Sequence, residues 1–255
     1  MNRGRGENMP IKERIEERWN ESAQGYDSYI QGELNTFKEN AWTELILKDE
    51  KRKQLRILDI GTGPGFFSVI LSKQGHQVTG IDCTENMVEV AKKNAIVHGV
   101  DPKFYVMDSH KLDFEDNSFD LIVSRNVTWT LYNPDNAYKE WRRVLKPEGK
   151  LMIFDANWQL FYFDEELKMK VEKAQSEYRK KYGEPFESCD EPMPDEFYMS
   201  LPLSSKLRPE WDKHKLEESG YKNIKIDTDI IDKVYDEKEM LLYGCTPSFK
   251  IVATK

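Results

Sequence analysis

The stretch LDIGTGPGF, residues 58–66, places glycine at 61, 63 and 65, directly after the short apolar run RILDI. Glycine lets a chain turn without a Cβ and lets a ligand come close to the backbone. Taken alone, such a run fits a tight strand-to-helix turn with no ligand as well as it fits a binding loop. Asp59, two residues ahead of the first glycine, sharpens the choice, because a pyrophosphate is poorly served by a carboxylate at the loop's mouth. The spacing is GxGxG and not the GxGxxG of a dinucleotide loop, whose third glycine packs helix against strand. Pro64 also donates no N–H.

Outward from this loop the pattern alternates. RILDI (56–60), QVTGID (77–82), KFYVMD (103–108), SFDLIVSRN (118–126) and LMIFDAN (151–157) read as strands. Between them FFSVILSKQG (66–75), ENMVEVAKKNAIVHG (85–99) and PDNAYKEWRRVL (134–145) read as helices, with KPEGK (146–150) as a turn. Strands separated by helices of this length predict βαβ units, a mostly parallel sheet and ligand binding beyond the strand C-termini. Upstream, IKERIEERWNESAQGYDSY predicts a helix broken near Gln24–Gly25, and NTFKENAWTELILKD a second. Downstream come an aromatic patch, a long charged helix, a proline-rich cover over 187–209, a helix over 210–220, and the strand pair YKNIKIDTDII and SFKIVAT. The expectation is an α/β, Rossmann-like, doubly wound seven-stranded sheet, mostly parallel with one antiparallel edge strand. It divides into an N-terminal helical lid (1–50), a core (51–158), a covering insertion (159–209) and the C-terminal part of the core sheet (210–255).

The 255 residues carry net charge -8 with 38% hydrophobic content, enough for a continuous core and unsuited to a nucleic-acid polyanion. No apolar run is long enough to cross a bilayer, and the first residues, expected to be mobile, lack the apolar stretch of a secretory signal. The cytoplasm is the expected compartment, with a monomer or homodimer and no membrane partner. Cys83, Cys189 and Cys245 are far apart, and His76, His98, His110 and His214 form no HxxxH cluster, so neither a disulfide framework nor a metal site is expected.

A cationic ligand suits Asp59 better than a phosphate does. S-adenosylmethionine carries a sulfonium, an ammonium and a ribosyl adenine. Asp59 can face its ammonium end, while Gly61 and Gly63 let the chain pass flush against it. Asp82, ending the second strand, suits two ribose hydroxyls, a device that NAD sites share. Asp108, ending the third, can accept from the adenine amino group, with the backbone of Ser109 or His110 completing that edge.

LDIGTGPGF, VTGIDCTENMVEVAKKNA, FYVMDSHKLDFEDNSFDLIVSRN and EWRRVLKPEGKLMIFDANW resemble, in order and spacing, the class I SAM-dependent methyltransferases, and within them the ubiquinone/menaquinone-type enzymes. The resemblance covers about residues 56–158. It implies S-adenosyl-L-methionine as cofactor, with Asp59, Gly61, Thr62, Gly63 and Gly65 at the methionine end and Asp82 at the ribose. Asp108 and Ser109, with Cys83, Met87 and His110 beside them, fall at the adenine. WNESAQGYDSY resembles the family's lid, which makes Tyr26 a candidate to close over the cofactor. Glu148 departs from the family, which commonly has glycine there.

The implied reaction is methyl transfer to a small-molecule acceptor by in-line displacement, which needs alignment and exclusion of water. SRNVTW (124–129) and DANW (155–158) would border the acceptor. Asn126 bounds the methyl or methionine portion. Trp129 and Trp158 are either acceptor walls or lid packing, and Asp155 is either a base or a strand-end cap. Phe161, Tyr162, Phe163, Phe197 and Tyr198 of the insertion either line an apolar pocket or form a satellite core. A non-catalytic SAM-binding or protein-interaction module and a nicotinamide-dependent oxidoreductase are the alternatives. A filled acceptor pocket would favour the first, and the GxGxG spacing with Asp59 disfavours the second.

Overall fold

In the computed structural model, residues 9–185 and 193–255 are described. The expectations placed on the first eight residues, on Cys189 and on the beginning of the proline-rich segment lie outside them. The described chain runs α1 (Ile11–Glu33), α2 (Phe37–Leu47), β1 (Arg56–Ile60), α3 (Phe66–Lys73), β2 (Gln77–Asp82), α4 (Glu85–Val97), β3 (Lys103–Val106) and β4 (Phe119–Arg125). It continues through α5 (Pro134–Val144), β5 (Leu145–Asp155), α6 (Glu165–Tyr182), α7 (Asp195–Ser200), α8 (Glu210–Glu218), β6 (Lys222–Asp227), α9 (Ile231–Val234), α10 (Glu237–Tyr243) and β7 (Phe249–Thr254).

One seven-stranded sheet has the order β3-β2-β1-β4-β5-β7-β6. The strands from β1 to β5 pair in parallel, and β7 runs antiparallel to both β5 and β6. The reversed strand therefore lies one place in from the edge, and the last two strands form an antiparallel pair.

Alternation along the strands divides the core, as a period of two requires. Leu58, Ile122, Leu151 and Ile153 face α5 and α8 through Tyr138, Trp141 and Leu216. Ile57, Leu121, Val123, Met152 and Phe154 face α2 and α3 through Trp42, Ile46, Val69 and Ile70. Both faces being covered, the central strands are apolar on both sides.

Three local readings change. α1 continues through Gln24–Gly25, because Ala23 and Ile30 on one side of it are buried and this packing outweighs the helix penalty of Gly25. The KPEGK turn bulges from the ladder, with pairing passing from Phe119–Leu145 to Leu121–Lys150, and Glu148 adopts φ +60 there. That left-handed backbone is one that glycine adopts without strain. The reading of DTDII as strand was too long: Ile231 begins α9, and α10 follows with a capping box between Asp236 and Glu239. Among the described residues no helix is long and apolar enough to cross a membrane.

Candidate active site

The carboxylates ending the first strands converge. Asp59, Asp82 and Asp108 line one cleft of about 990 Å³, open mouth included, at the C-terminal edge of the sheet. Its wall also includes Tyr26, Gly61, Thr62, Gly63, Cys83, Met87, Ser109, His110 and Asn126.

Asp59 is buried and accepts from Thr62 Oγ1 at 2.7 Å and from Ser68 Oγ at 2.8 Å. Burial pushes its carboxyl up to about 6, against the two hydroxyls that hold it down. Asp82 accepts from Gly63 N at 3.1 Å and from Thr84 N and Oγ1 at 3.0 Å, so it ties the end of β2 to the glycine loop. Burial raises its pKa as well. A cleft that holds two buried carboxylates above their ordinary range is prepared for a ligand that is cationic or rich in donors.

Asp108 is held the other way. Burial would raise it, but His110, Lys12 and Tyr132 donate to it and keep it well below the usual carboxylate range. The bonds are His110 N at 2.9 Å, His110 Nδ1 at 2.8 Å, Tyr132 OH at 2.7 Å and Lys12 Nζ at 2.8 Å. Asn133 N–H donates to His110 Nε2 at 3.3 Å, which leaves the ring hydrogen on Nδ1. His110 stacks on Tyr132 with ring centroids 3.7 Å apart, so it is a fixed support for Asp108.

Gly61 (φ +65) passes so close to Val127 that a Cβ would lie 2.2 Å from Val127 Cγ2. Gly65 stands apart from its neighbours in the loop. It precedes α3 at φ +92 and a Cβ there would sit 3.2 Å from Ala91 Cβ, so it serves helix packing and does not line the cleft. Burial pushes the Cys83 thiol up, leaving it a neutral wall. Tyr26 brings its phenol to the Asn126 side chain.

The residues expected around the acceptor do not converge on this cleft, Asn126 excepted. Asp155 is fully buried and accepts from Thr128 Oγ1, Trp129 N, Ala156 N and Trp158 Nε1, and it faces Arg208 Nη1 at 3.3 Å. It caps the strand end and has no free oxygen edge toward the cleft. Trp129 donates to Asn126 O at 3.0 Å and packs between Trp19 and Tyr198. Phe197 and Leu201 pack with Ile15 as a satellite core, with Tyr198 partly buried against it, and Phe163 is exposed. Tyr162 donates to Asp195, and its ring tilts against Phe161 with centroids 4.3 Å apart.

Trp158 instead walls a second, smaller cavity of about 380 Å³, open mouth included, with Tyr29, Tyr235, Glu239 and Tyr243. Arg125 and Asn126 line both cavities.

The sequence reading missed Lys12, Ile15, Glu16 and Trp19, which α1 lays along the cleft, and Tyr132 opposite them. The four-residue spacing of Ile11, Ile15 and Trp19 was the available signal. Arg125, largely shielded and paired with Glu33 at 2.8 Å, carried none.

Residues 58–153 match the family described as "Methyltransferase domain". The chain is 34% identical over 159 residues to demethylmenaquinone methyltransferase of Staphylococcus aureus (strain MRSA252), covering 59% of this chain and 64% of that protein. It thus spans under two thirds of the length of the curated relatives it matches. Among solved structures, a SAM-dependent methyltransferase from Aquifex aeolicus superposes with TM-score 0.52 at 22% identity, covering 89% of this chain and 97% of that one. Phosphoethanolamine N-methyltransferase 2 of Haemonchus contortus, with S-adenosyl-L-methionine, gives TM-score 0.64 at 18% identity over 98% of this chain and 60% of that one. At those identities the superpositions speak to fold alone. Residues 58–153 thus carry a methyltransferase domain, and over 159 residues the chain is similar in sequence to demethylmenaquinone methyltransferases.

Proposed function

We propose that this chain transfers the methyl group of S-adenosylmethionine to a small-molecule acceptor. The observation that carries the reading is the convergence of Asp59, Asp82 and Asp108 on one cleft. Asp59 faces the ammonium end, Asp82 accepts from the ribose hydroxyls, and Asp108 with Ser109 receives the adenine edge. Gly61 and Gly63 let the backbone lie against the ligand, and Tyr26, Cys83 and Met87 supply its apolar contacts. The cofactor brings a methyl already activated by positive sulfur. The protein's task is then to align the acceptor, exclude water and stabilise the charge that moves.

Asn126, with Arg125, borders both cavities and so marks the side from which an acceptor approaches. The curated relatives are named for a small-molecule acceptor, demethylmenaquinone, which supports a small molecule here without fixing which one.

Calorimetric titration with S-adenosylhomocysteine and with NAD tests the cofactor assignment. The homocysteine product should bind and NAD should not. Asp82→Ala should weaken binding by about 1–3 kcal/mol, the cost of a hydrogen-bonded pair left incomplete. Preference for NAD, or unchanged affinity in Asp82→Ala, overturns the assignment.

A further inference from the structure

We propose that the smaller cavity beyond Asn126 is the acceptor chamber and that its acceptor is a compact primary or secondary amine, an inference that rests on the methyl-transfer reading of the main cleft. The chamber touches the cleft where β4 ends, since Arg125 and Asn126 line both. Tyr29, Trp158, Tyr235 and Tyr243 supply aromatic wall, with Trp158 set edge-on to Tyr243 at 5.5 Å. Tyr235, Glu239 and Tyr243 lie outside the residues matched by the family, so this wall belongs to the chain's own C-terminal part.

The charges around the chamber are already matched. Arg125 gives Nη1 and Nη2 to the two oxygens of Glu33 at 3.1 and 2.8 Å, and its guanidinium lies 4.5 Å from the Phe66 ring centroid. Glu239 receives Lys38 Nζ at 2.6 Å and Tyr29 OH at 2.7 Å. Among the described residues a carboxylate, phosphate or phenolate therefore finds no spare cation there. What the chamber offers is ring faces, the Tyr29 and Tyr235 hydroxyls being already paired with Glu239 and Ser248, and burial pushes the Tyr29 and Tyr243 phenols up so that they stay neutral.

Such a lining suits a reaction that makes a cation inside it. An ammonium leaves its proton in water and enters as the neutral amine. The nitrogen lone pair forms the N–C bond as the S–C bond breaks, with its electron pair going to sulfur. The positive charge passes from sulfonium to nitrogen, and the product departs as the methylammonium. Electron-rich rings stabilise that charge as it develops. An oxyanion acceptor would instead lose its charge in the step and gain nothing from these walls. Even with its open mouth counted, the cavity's about 380 Å³ holds about a dozen non-hydrogen atoms at most, so a compact acceptor fits it better than a polyprenylated quinol does.

The test uses the full chain with methyl-labelled S-adenosylmethionine. Small primary and secondary amines are compared with carboxylates and phenols of matched size and with a demethylmenaquinol, the products being identified by mass spectrometry. Methylation of amines is expected. Tyr243→Leu should raise KM for the amine roughly tenfold with S-adenosylhomocysteine affinity unchanged, while Tyr243→Phe, which keeps the ring face, stays within about twofold of the parent. Methylation of only acids, phenols or the quinol, or of nothing while the homocysteine product binds, overturns the chamber assignment. Equal effects of Tyr243→Leu and Tyr243→Phe do so too. Failure to bind the homocysteine product overturns the methyl-transfer reading itself.

Discussion

Lys12 Nζ lies 2.8 Å from Asp108 Oδ2, fastening the first turn of α1 to the residue just beyond β3. With Tyr132 OH and the backbone N and ring Nδ1 of His110, the Asp108 carboxylate carries four donors, its full complement. An adenine amino group can reach it only by displacing one of them. Lys12 is the most weakly held, its side chain being 43% exposed.

Lys12→Met should therefore tighten S-adenosylhomocysteine binding by a few-fold, in line with the 0.2–1 kcal/mol (about) of an exposed ion pair. The parent's affinity should rise with added salt and approach that of Lys12→Met. Calorimetry at two ionic strengths checks both. Weaker binding by Lys12→Met would make Lys12 part of the closed site and not a competitor for Asp108.

Asp59 sets a pH dependence of stability whose sign follows from its raised pKa. At about 6 in the folded protein, against about 4 unfolded, it is protonated in both states at low pH. Between about 4 and about 6 the unfolded chain has lost this proton while the folded one still holds it, so stability falls across that window and levels off above it, where the folded protein bears the buried carboxylate. Asp59→Asn should flatten that decline and stabilise the protein at pH 8 by about 3 kcal/mol, as read from denaturant unfolding. A cationic ligand end beside Asp59 favours the carboxylate, so S-adenosylhomocysteine binding should weaken below pH 6 and release a proton to buffer near it. A decline that persists in Asp59→Asn would place the titrating group elsewhere.

What could be read from the sequence was what is local. Leu58 and Ile57 alternate between the two faces of the sheet, and that period, with the acids at strand ends, revealed both the layers and the edge where ligands collect. Partners far apart along the chain could not be read. Asp155 is visible as a strand-end acid, but Arg208, whose pairing with it favours a structural role, comes from the far side of the insertion. Nothing local to Lys12 indicates that it meets Asp108. The Asp236–Glu239 spacing is a capping-box signal that the sequence reading missed, with the apolar run before it read as strand. The chamber that this helix walls was hidden with it.

Gly61 and Gly99 share a left-handed backbone, φ +65 and +66, but differ in surroundings. A Cβ at 99 meets nothing within 4 Å, whereas at 61 it would overlap Val127. Gly99→Ala should cost about 1–2 kcal/mol of stability from backbone strain alone and leave S-adenosylhomocysteine affinity unchanged. Gly61→Ala must also push apart two loops that line the cleft, and its affinity should fall at least tenfold. Equal affinities in the two variants would show that the Gly61–Val127 approach does not shape the site.

Asp155 and Arg208 form the junction that holds the insertion to the sheet. Arg208 also gives Nε and Nη2 to Asp212 at 2.7 and 2.9 Å, while Tyr138 OH donates to the same carboxylate. Removing Asp155 strips an acceptor from Thr128, Trp129, Ala156 and Trp158 and leaves the buried guanidinium with one carboxylate. Asp155→Ala should cost about 3–5 kcal/mol, visible as a lowered unfolding midpoint. If Asp155 were a general base, the variant would keep its stability and lose rate with a displaced pH profile. A structural role predicts the opposite pairing: a large loss of stability, with the pH profile of whatever activity remains unmoved. Measuring unfolding and the pH–rate profile on the same preparation separates the two, and a stable variant with a shifted profile would return Asp155 to the chemistry.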